Sequence, residues 1–289
     1  MSENSQITIN DLWDSGAHFG HKVSRWNPKM SPYIYGEKNG LHIVDLTQTL
    51  GLLKEAQKLI HKTTKENGRV LFVGTKIQAG SIVADYAKRC GQYYVGTRWL
   101  GGTLTNWSTV SKSIKELERL EKTIENNTEN PVYTKKEILH FSRKCAKLLS
   151  YLGGIRDMGG RPNLMIAFDT SKDALAIKEA QKLGIPIIAI VDTNSNPDGI
   201  DVVIPGNDDA IKAITLYCQA FASSALAGIE EALVASGVDI GAMTDAQDRA
   251  APNPKKVIKA KQNKRINRSY TKVDGKDESD FQKALDSRE

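Results

Sequence analysis

The 289-residue chain is poor in cysteine: Cys90, Cys145 and Cys218 are its only three, and they are far apart. An odd count with no CxxC pair argues against a disulfide scaffold and fits a reducing compartment, with the thiols as small buried hydrophobes. No apolar run approaches the roughly 18 residues of a spanning helix, which excludes a helical membrane protein. The N-terminus, Met1-Ser-Glu-Asn-Ser-Gln6, lacks the basic-then-apolar order of a secretory signal and the Arg-rich character of a transit peptide. Catalytic fingerprints are missing as well: there is no GxGxxG, GxxxxGK[ST], nucleophile elbow or HExxH.

What remains for an enzyme is thin. Gly74-Thr-Lys-Ile-Gln-Ala-Gly80 stands where a phosphate-binding turn would stand, but in the wrong pattern. Asp169, Asp192 and Asp198 fall at or near strand ends, a place for catalytic carboxylates and equally for caps and turns. His18 and His21 are spaced by three, but no third ligand lies close in sequence, so a helix-terminating turn with a stacked histidine is the better reading. A nucleotide- or sugar-phosphate-binding α/β enzyme is therefore carried only as an alternative.

Charge is abundant and unevenly placed. Residues 1–150 hold 22 basic and 14 acidic side chains, residues 151–250 hold 7 and 14, and residues 251–289 hold 11 and 6. The net +6 thus hides a basic half, an acidic segment and a basic tail, as expected of a protein with one polyanion-facing side.

Continuous apolar runs alternate with helical patterns. Strands are expected at His42–Asp45, Arg69–Val73, Tyr93–Val95, Asn163–Phe168, Ile187–Val191 and Val202–Ile204. The first leads into a helix capped by Thr47; later helices are expected at about Ile77–Arg89, Lys172–Leu183 and Asp209–Ser236. Unbroken Val/Ile/Leu strands are those of a parallel sheet covered on both faces, so the fold expected is a doubly wound α/β domain. Thr105 to Leu152 breaks the rhythm. Its two amphipathic stretches carry Ile114, Leu117, Leu120 and Ile124, then Ile138, Phe141, Cys145, Leu148 and Leu149; a turn at Asn126–Pro131 joins them. They read as an antiparallel helical hairpin or as two ordinary packed helices. Lys255–Lys272 carries eight basic residues and no acid, in a tail expected to be disordered or to fold only on a partner. A scaffold whose tail docks on acidic partners is a further alternative.

Aromatic residues are few, yet all four tryptophans fall within the first 107 residues. His18 to Ile34 and Thr97 to Asn106 mix cations, aromatics and Gly or Pro without clear periodicity, and Gly153 to Pro162 has the same character. Arg and Lys for phosphates, flat rings for bases and glycines for close approach suit folded RNA. Rigid interdomain loops with buried tryptophans remain the alternative.

Several of these stretches resemble one family. Ser15-Gly-Ala-His-Phe-Gly-His21, Trp26-Asn-Pro-Lys-Met30, Tyr33-Ile34 and Gly96-Thr-Arg-Trp-Leu-Gly-Gly-Thr-Leu-Thr-Asn106 are similar to the bacterial-type ribosomal protein S2 family (small-subunit protein two). Pro162–Asp169, Glu179, Gly184-Ile-Pro186, Asp192–Pro197 and Ile204–Asp208 agree in order and spacing. The resemblance covers about residues 7–235. It implies a three-layer, flavodoxin-like doubly wound parallel sheet with an inserted helical hairpin, and no catalysis. It implies binding to small-subunit rRNA near the head-body junction, and support for recruiting small-subunit protein one and mRNA. Proteins three, five and eight would be further neighbours, in the cytoplasm of a bacterium or in an organelle encoding its own copy. No homo-oligomer, membrane partner or cofactor is implied, with Mg²⁺ entering only in association with the rRNA. The RNA-contacting set implied is Lys22, Arg25, Trp26, Asn27, Lys29 and Met30, then Arg98, Trp99, Thr105 and Asn106, supported by Arg156 and Arg161. The corresponding division is an N-terminal RNA-contacting segment (1–40), an α/β core (41–104 and 153–236), a protruding hairpin (105–152), and a linker with a basic tail (237–289).

Overall fold

The computed structural model describes residues 7–129 and 133–235. The expected disordered tail and the end of the expected turn at Pro131 lie outside the described residues. The chain opens with α1 (Ile9–Asp14), β1 (Phe19–Lys22), β2 (Ile34–Lys38) and β3 (Leu41–Val44). It continues through α2 (Leu46–Lys65), β4 (Val70–Val73), α3 (Ile77–Arg89), β5 (Tyr93–Val95), α4 (Trp107–Glu129) and α5 (Lys135–Leu152). The last elements are β6 (Leu164–Ala167), α6 (Ala174–Leu183), β7 (Ile187–Val191), β8 (Val202–Pro205) and α7 (Ile211–Ala235).

Five strands form an all-parallel sheet in the order β5-β4-β6-β7-β8. Counted from β4, this is the 2-1-3-4-5 order of flavodoxin-like folds. Every residue of β4, β6 and β7 is buried, as strands covered on both faces must be. Alternate side chains serve two cores. Val70, Phe72, Leu164, Ile166, Ile188 and Ile190 meet α2, α3 and α7 on one face. Leu71, Val73, Met165, Ala167, Ile187 and Ala189 meet α6 and the first turns of α4 on the other. The result is helix, sheet and helix in three layers.

The first expected strand belongs elsewhere. β3 pairs antiparallel with β1 and β2 in a separate three-stranded sheet. Its burial alternates, so it covers a core with one face only, and a four-residue apolar run cannot signal which sheet it joins. β1 and β2 escape sequence reading because irregular register breaks their alternation. The cap of α2 is Asp45, whose side chain accepts a hydrogen bond from the Thr47 N–H, and not Thr47.

The break in the rhythm is helical. α4 continues to Glu129, through the first part of the expected turn. Val110, Ile114, Leu117 and Leu120 are buried along it. α5 meets α4 through Glu116, which pairs with Lys144 at 2.9 Å. Leu149 lies off the inner face and is exposed.

Phe72 is fully buried, with its ring 6.5 Å from that of Phe168. Phe72→Ala is expected to cost about 3–5 kcal/mol and lower Tm by roughly 10 °C, measured by calorimetry. Ile77→Ala, at a residue 90% exposed, is expected to stay within about 0.5 kcal/mol.

Candidate nucleic-acid interface

The N-terminal segment is laid across the carboxyl ends of β7 and β8 and tied there. His21 N–H donates to Thr193 Oγ1 at 2.9 Å, and Asn27 N–H donates to the Thr193 carbonyl at 2.7 Å. Asn207 donates from its backbone to Ala17 O and from its side chain to Gly16 O, both at 3.1 Å. His18 stacks on Trp13 with ring centroids 4.0 Å apart, the helix-terminating arrangement expected of it. Asn27 caps a short 3-10 helix, Pro28–Tyr33, by accepting from Lys29 N–H. Lys22, Arg25 and Trp26 are exposed on this anchored segment. Lys22 and Arg25 have no ion-pair partner among the described residues. Lys29 pairs with Asp198. Met30 is fully buried in the core beneath, so its role is packing, not contact with a ligand outside.

The glycine loop after β5 is organised by one carboxylate. Glu179 Oε1 accepts from Trp99 Nε1 at 3.0 Å and Gly102 N–H at 2.7 Å. Its Oε2 accepts from Leu104 N–H at 3.0 Å and from Thr105 N–H and Oγ1, both at 3.2 Å. Burial would raise the Glu179 pKa, but these hydrogen bonds together hold it below the usual carboxylate value. Trp99 is only 7% exposed, with its ring in the core and its N–H spent on Glu179, which corrects its expected place at the RNA surface. Arg98, Thr105 and Asn106 are exposed at the ends of this loop. Arg98 has no ion-pair partner among the described residues. Asn106 Oδ1 accepts from Ser108 and Thr109, fixing the start of α4. Trp99, Leu104 and Met30 belong to one buried cluster, so the two loops rest on the same core. In sequence Glu179 stands out as part of the family resemblance and as a charge in line with Ala176 and Ala180, which are buried on the same helix; its role as the loop's acceptor is shown only by the structure.

The strand-end crevice where an α/β enzyme would bind its ligand is filled by the chain's own charges. Lys76 Nζ lies 2.8 Å from Asp208, 2.6 Å from Asp209 and 3.7 Å from Asp169. Burial lowers the Lys76 pKa, but the hydrogen bonds to Asp208 and Asp209 outweigh it and hold it above the usual value. Burial pushes Asp208 up to about 7 and Asp173 up to about 6. His21 Nδ1 sits 2.8 Å from Asp192, and that hydrogen bond raises the imidazole pKa. Asp169 accepts from the N–H groups of Ser171 and Lys172, a local turn. Gly80 and Gly96 are needed for contact between α3 and β5: a Cβ on Gly80 would come 2.1 Å from Gly96 O. The glycines therefore serve packing, not a phosphate. A cleft of about 280 Å³ remains beside His21, Lys22, Arg25, Asn207 and Asp209. His21, Asp208 and Asp209 each bring a ligand atom within 4.8 Å of the others, a donor set a divalent cation could use.

Arg156 and Arg161 do not join the glycine loop. Arg156 Nη2 is 2.9 Å from Glu121 and its Nε 3.6 Å from Glu118, both on α4. Arg161 is exposed just before β6, at the opposite end of the sheet from Arg98.

Fold and site together define a flavodoxin-like α/β protein with a self-filled strand-end crevice and a cationic, aromatic surface on anchored loops. The "Ribosomal protein S2" family profile matches residues 12–228, and the chain belongs to that family, whose proteins are structural and non-enzymatic. It is 53% identical over 285 residues to the small ribosomal subunit protein uS2 of Rickettsia prowazekii (strain Madrid E), covering 99% of this chain and 96% of that protein. The uS2 of Rickettsia typhi (strain ATCC VR-144 / Wilmington) matches equally. That of Rickettsia bellii (strain OSU 85-389) is 52% identical, with 97% of its length covered.

Glu179→Gln keeps the shape but turns an amide N–H toward loop donors, and is expected to cost about 2 kcal/mol at neutral pH. Because the folded pKa of Glu179 is depressed, its contribution is present above the unfolded value of about 4.3 and is lost as pH falls through the folded value. Denaturant unfolding of both proteins should show the gap narrowing in acid. A gap constant from neutral pH into strong acid would refute the charge-based account.

Proposed function

We propose that this chain, a structural constituent of the small ribosomal subunit, binds small-subunit rRNA near the head-body junction with the anchored loops at the carboxyl end of its parallel sheet. The observation that carries this is the display of Lys22, Arg25 and Arg98, exposed and without ion-pair partners among the described residues, on two irregular loops resting on one buried cluster. Cations held on rigid backbone meet phosphates at little entropic cost. Trp26 offers an exposed ring, and Asn27, Lys29, Thr105 and Asn106 offer polar groups beside them.

Binding of this kind needs no resident cofactor; Mg²⁺ would accompany the RNA phosphates. The acidic segment supplies surface for basic neighbours, proposed to include small-subunit proteins three, five and eight. The same placement supports recruitment of protein one and, through it, mRNA. No helix among the described residues is long and apolar enough to cross a membrane, and the proposed setting is the small subunit in the cytoplasm.

The test is a salt titration of binding to a small-subunit rRNA fragment. The observed affinity should fall linearly on a log-log plot as salt rises. Arg25→Gln combined with Arg98→Gln should reduce the slope by about two and weaken binding for all sequences alike. An unchanged slope with intact thermal stability would sink the assignment of these residues.

A further inference from the structure

We infer that the amino end of the parallel sheet is a second RNA-backbone surface, carried by Arg69, Lys88, Arg89 and Arg161. The inference rests on the RNA binding proposed above and assigns it a face that the anchored loops do not reach. Strands β5, β4 and β6 start side by side, and the loops 66–69, 88–92 and 156–163 lead into them. Side chains and backbone stitch the three together. Asn163 N–H donates to Arg69 O at 2.8 Å, Arg69 N–H donates to Asn163 Oδ1 at 2.9 Å, and Val70 N–H donates to Gln92 Oε1 at 2.8 Å.

All four cations are exposed and none has a carboxylate partner among the described residues. Arg89 lies 4.8 Å over the Tyr86 ring and Lys88 5.5 Å over the Tyr94 ring, which restrains them without neutralising them. Gly159 has φ +68°, and a Cβ on Gly160 would come 2.9 Å from Arg69 Nη1, so the Arg69 guanidinium lies over bare backbone. Lys88 and Arg89 complement the C-terminal dipole of α3, but Arg69 and Arg161 stand on no helix and have no such reason to be basic. The carboxylates on these loops are Glu66 and Asp157, and Asp157 neighbours Arg156, itself committed to α4.

The partner is RNA and not an acidic protein because these loops expose no large apolar side chain. Protein interfaces need such a centre; phosphate contacts do not. At the carboxyl end Asp169, Asp208 and Asp209 are held by Lys76 and Asp192 by His21, so the cations of the first surface stay unpaired there too, and the amino end is a separate cationic face.

The test compares the full-length chain with Arg69→Gln/Arg161→Gln and, separately, Arg25→Gln/Arg98→Gln in salt-dependent binding to small-subunit rRNA. Arg69→Gln/Arg161→Gln should unfold at the wild-type temperature, bind about tenfold more weakly, and lose about two from the salt slope. Hydroxyl-radical footprinting should show one protected stretch lost and the other kept. Wild-type affinity and footprint in that variant, while Arg25→Gln/Arg98→Gln is weakened, would overturn this inference and leave the first surface standing. Retention of RNA with loss of a neighbouring protein from the assembled subunit would overturn it too. Wild-type binding by both variants would overturn both assignments.

Discussion

The arrangement at the carboxyl end of the sheet depends on one buried carboxylate. The loop from Trp99 to Thr105 is neither helix nor strand, so its backbone N–H groups have no ladder to join. Glu179 takes three of them together with an indole and a hydroxyl. A neutral acceptor could make some of these bonds, but a full charge makes each shorter and stronger and justifies burying it. Because Glu179 belongs to α6, packed on the sheet through Ala176 and Ala180, the loop inherits the rigidity of the core. Arg98 and Asn106 are displayed in fixed positions for that reason, and α4 starts in a fixed direction.

The other anchored loop follows the same logic with different groups. Thr193 and Asn207, just beyond β7 and β8, replace secondary-structure partners for Gly16, Ala17, His21 and Asn27. The cost is the crevice itself. Strand-end carboxylates that could serve catalysis in this fold are consumed here by Lys76, by His21 and by local turns. Desolvation makes an unpaired aspartate at these places expensive, so the chain supplies a partner of its own for each of them.

The legible part of this fold is the part where one physical rule acts alone. β4, β6 and β7 are buried on both faces, so an unbroken apolar run was sufficient to find them, and Ile77–Arg89 and Ile187–Val191 emerge with the bounds expected. The N-terminal sheet was hidden because its strands are short, half-exposed and irregular in register. Met30 and Trp99 were misplaced for a related reason. Residue type suggests what a side chain can touch, while burial depends on distant partners such as Glu179 that local pattern does not reveal.

The separation of Arg161 from the glycine loop is legible in the sequence itself. In a parallel sheet the residues just after each strand lie at one end, and those just before each strand lie at the other. Arg98 follows Tyr93–Val95, whereas Arg161 precedes Leu164–Ala167. Their compositions are alike, but parity separates them by the length of the sheet. The same parity puts Arg98 and the aspartates just after β6, β7 and β8 at one end, and Arg69 and Arg161, just before β4 and β6, at the other. The uneven charge along the chain is therefore only partly a matter of halves. In three dimensions the end of the sheet at which each charge stands is set by which side of a strand it occupies.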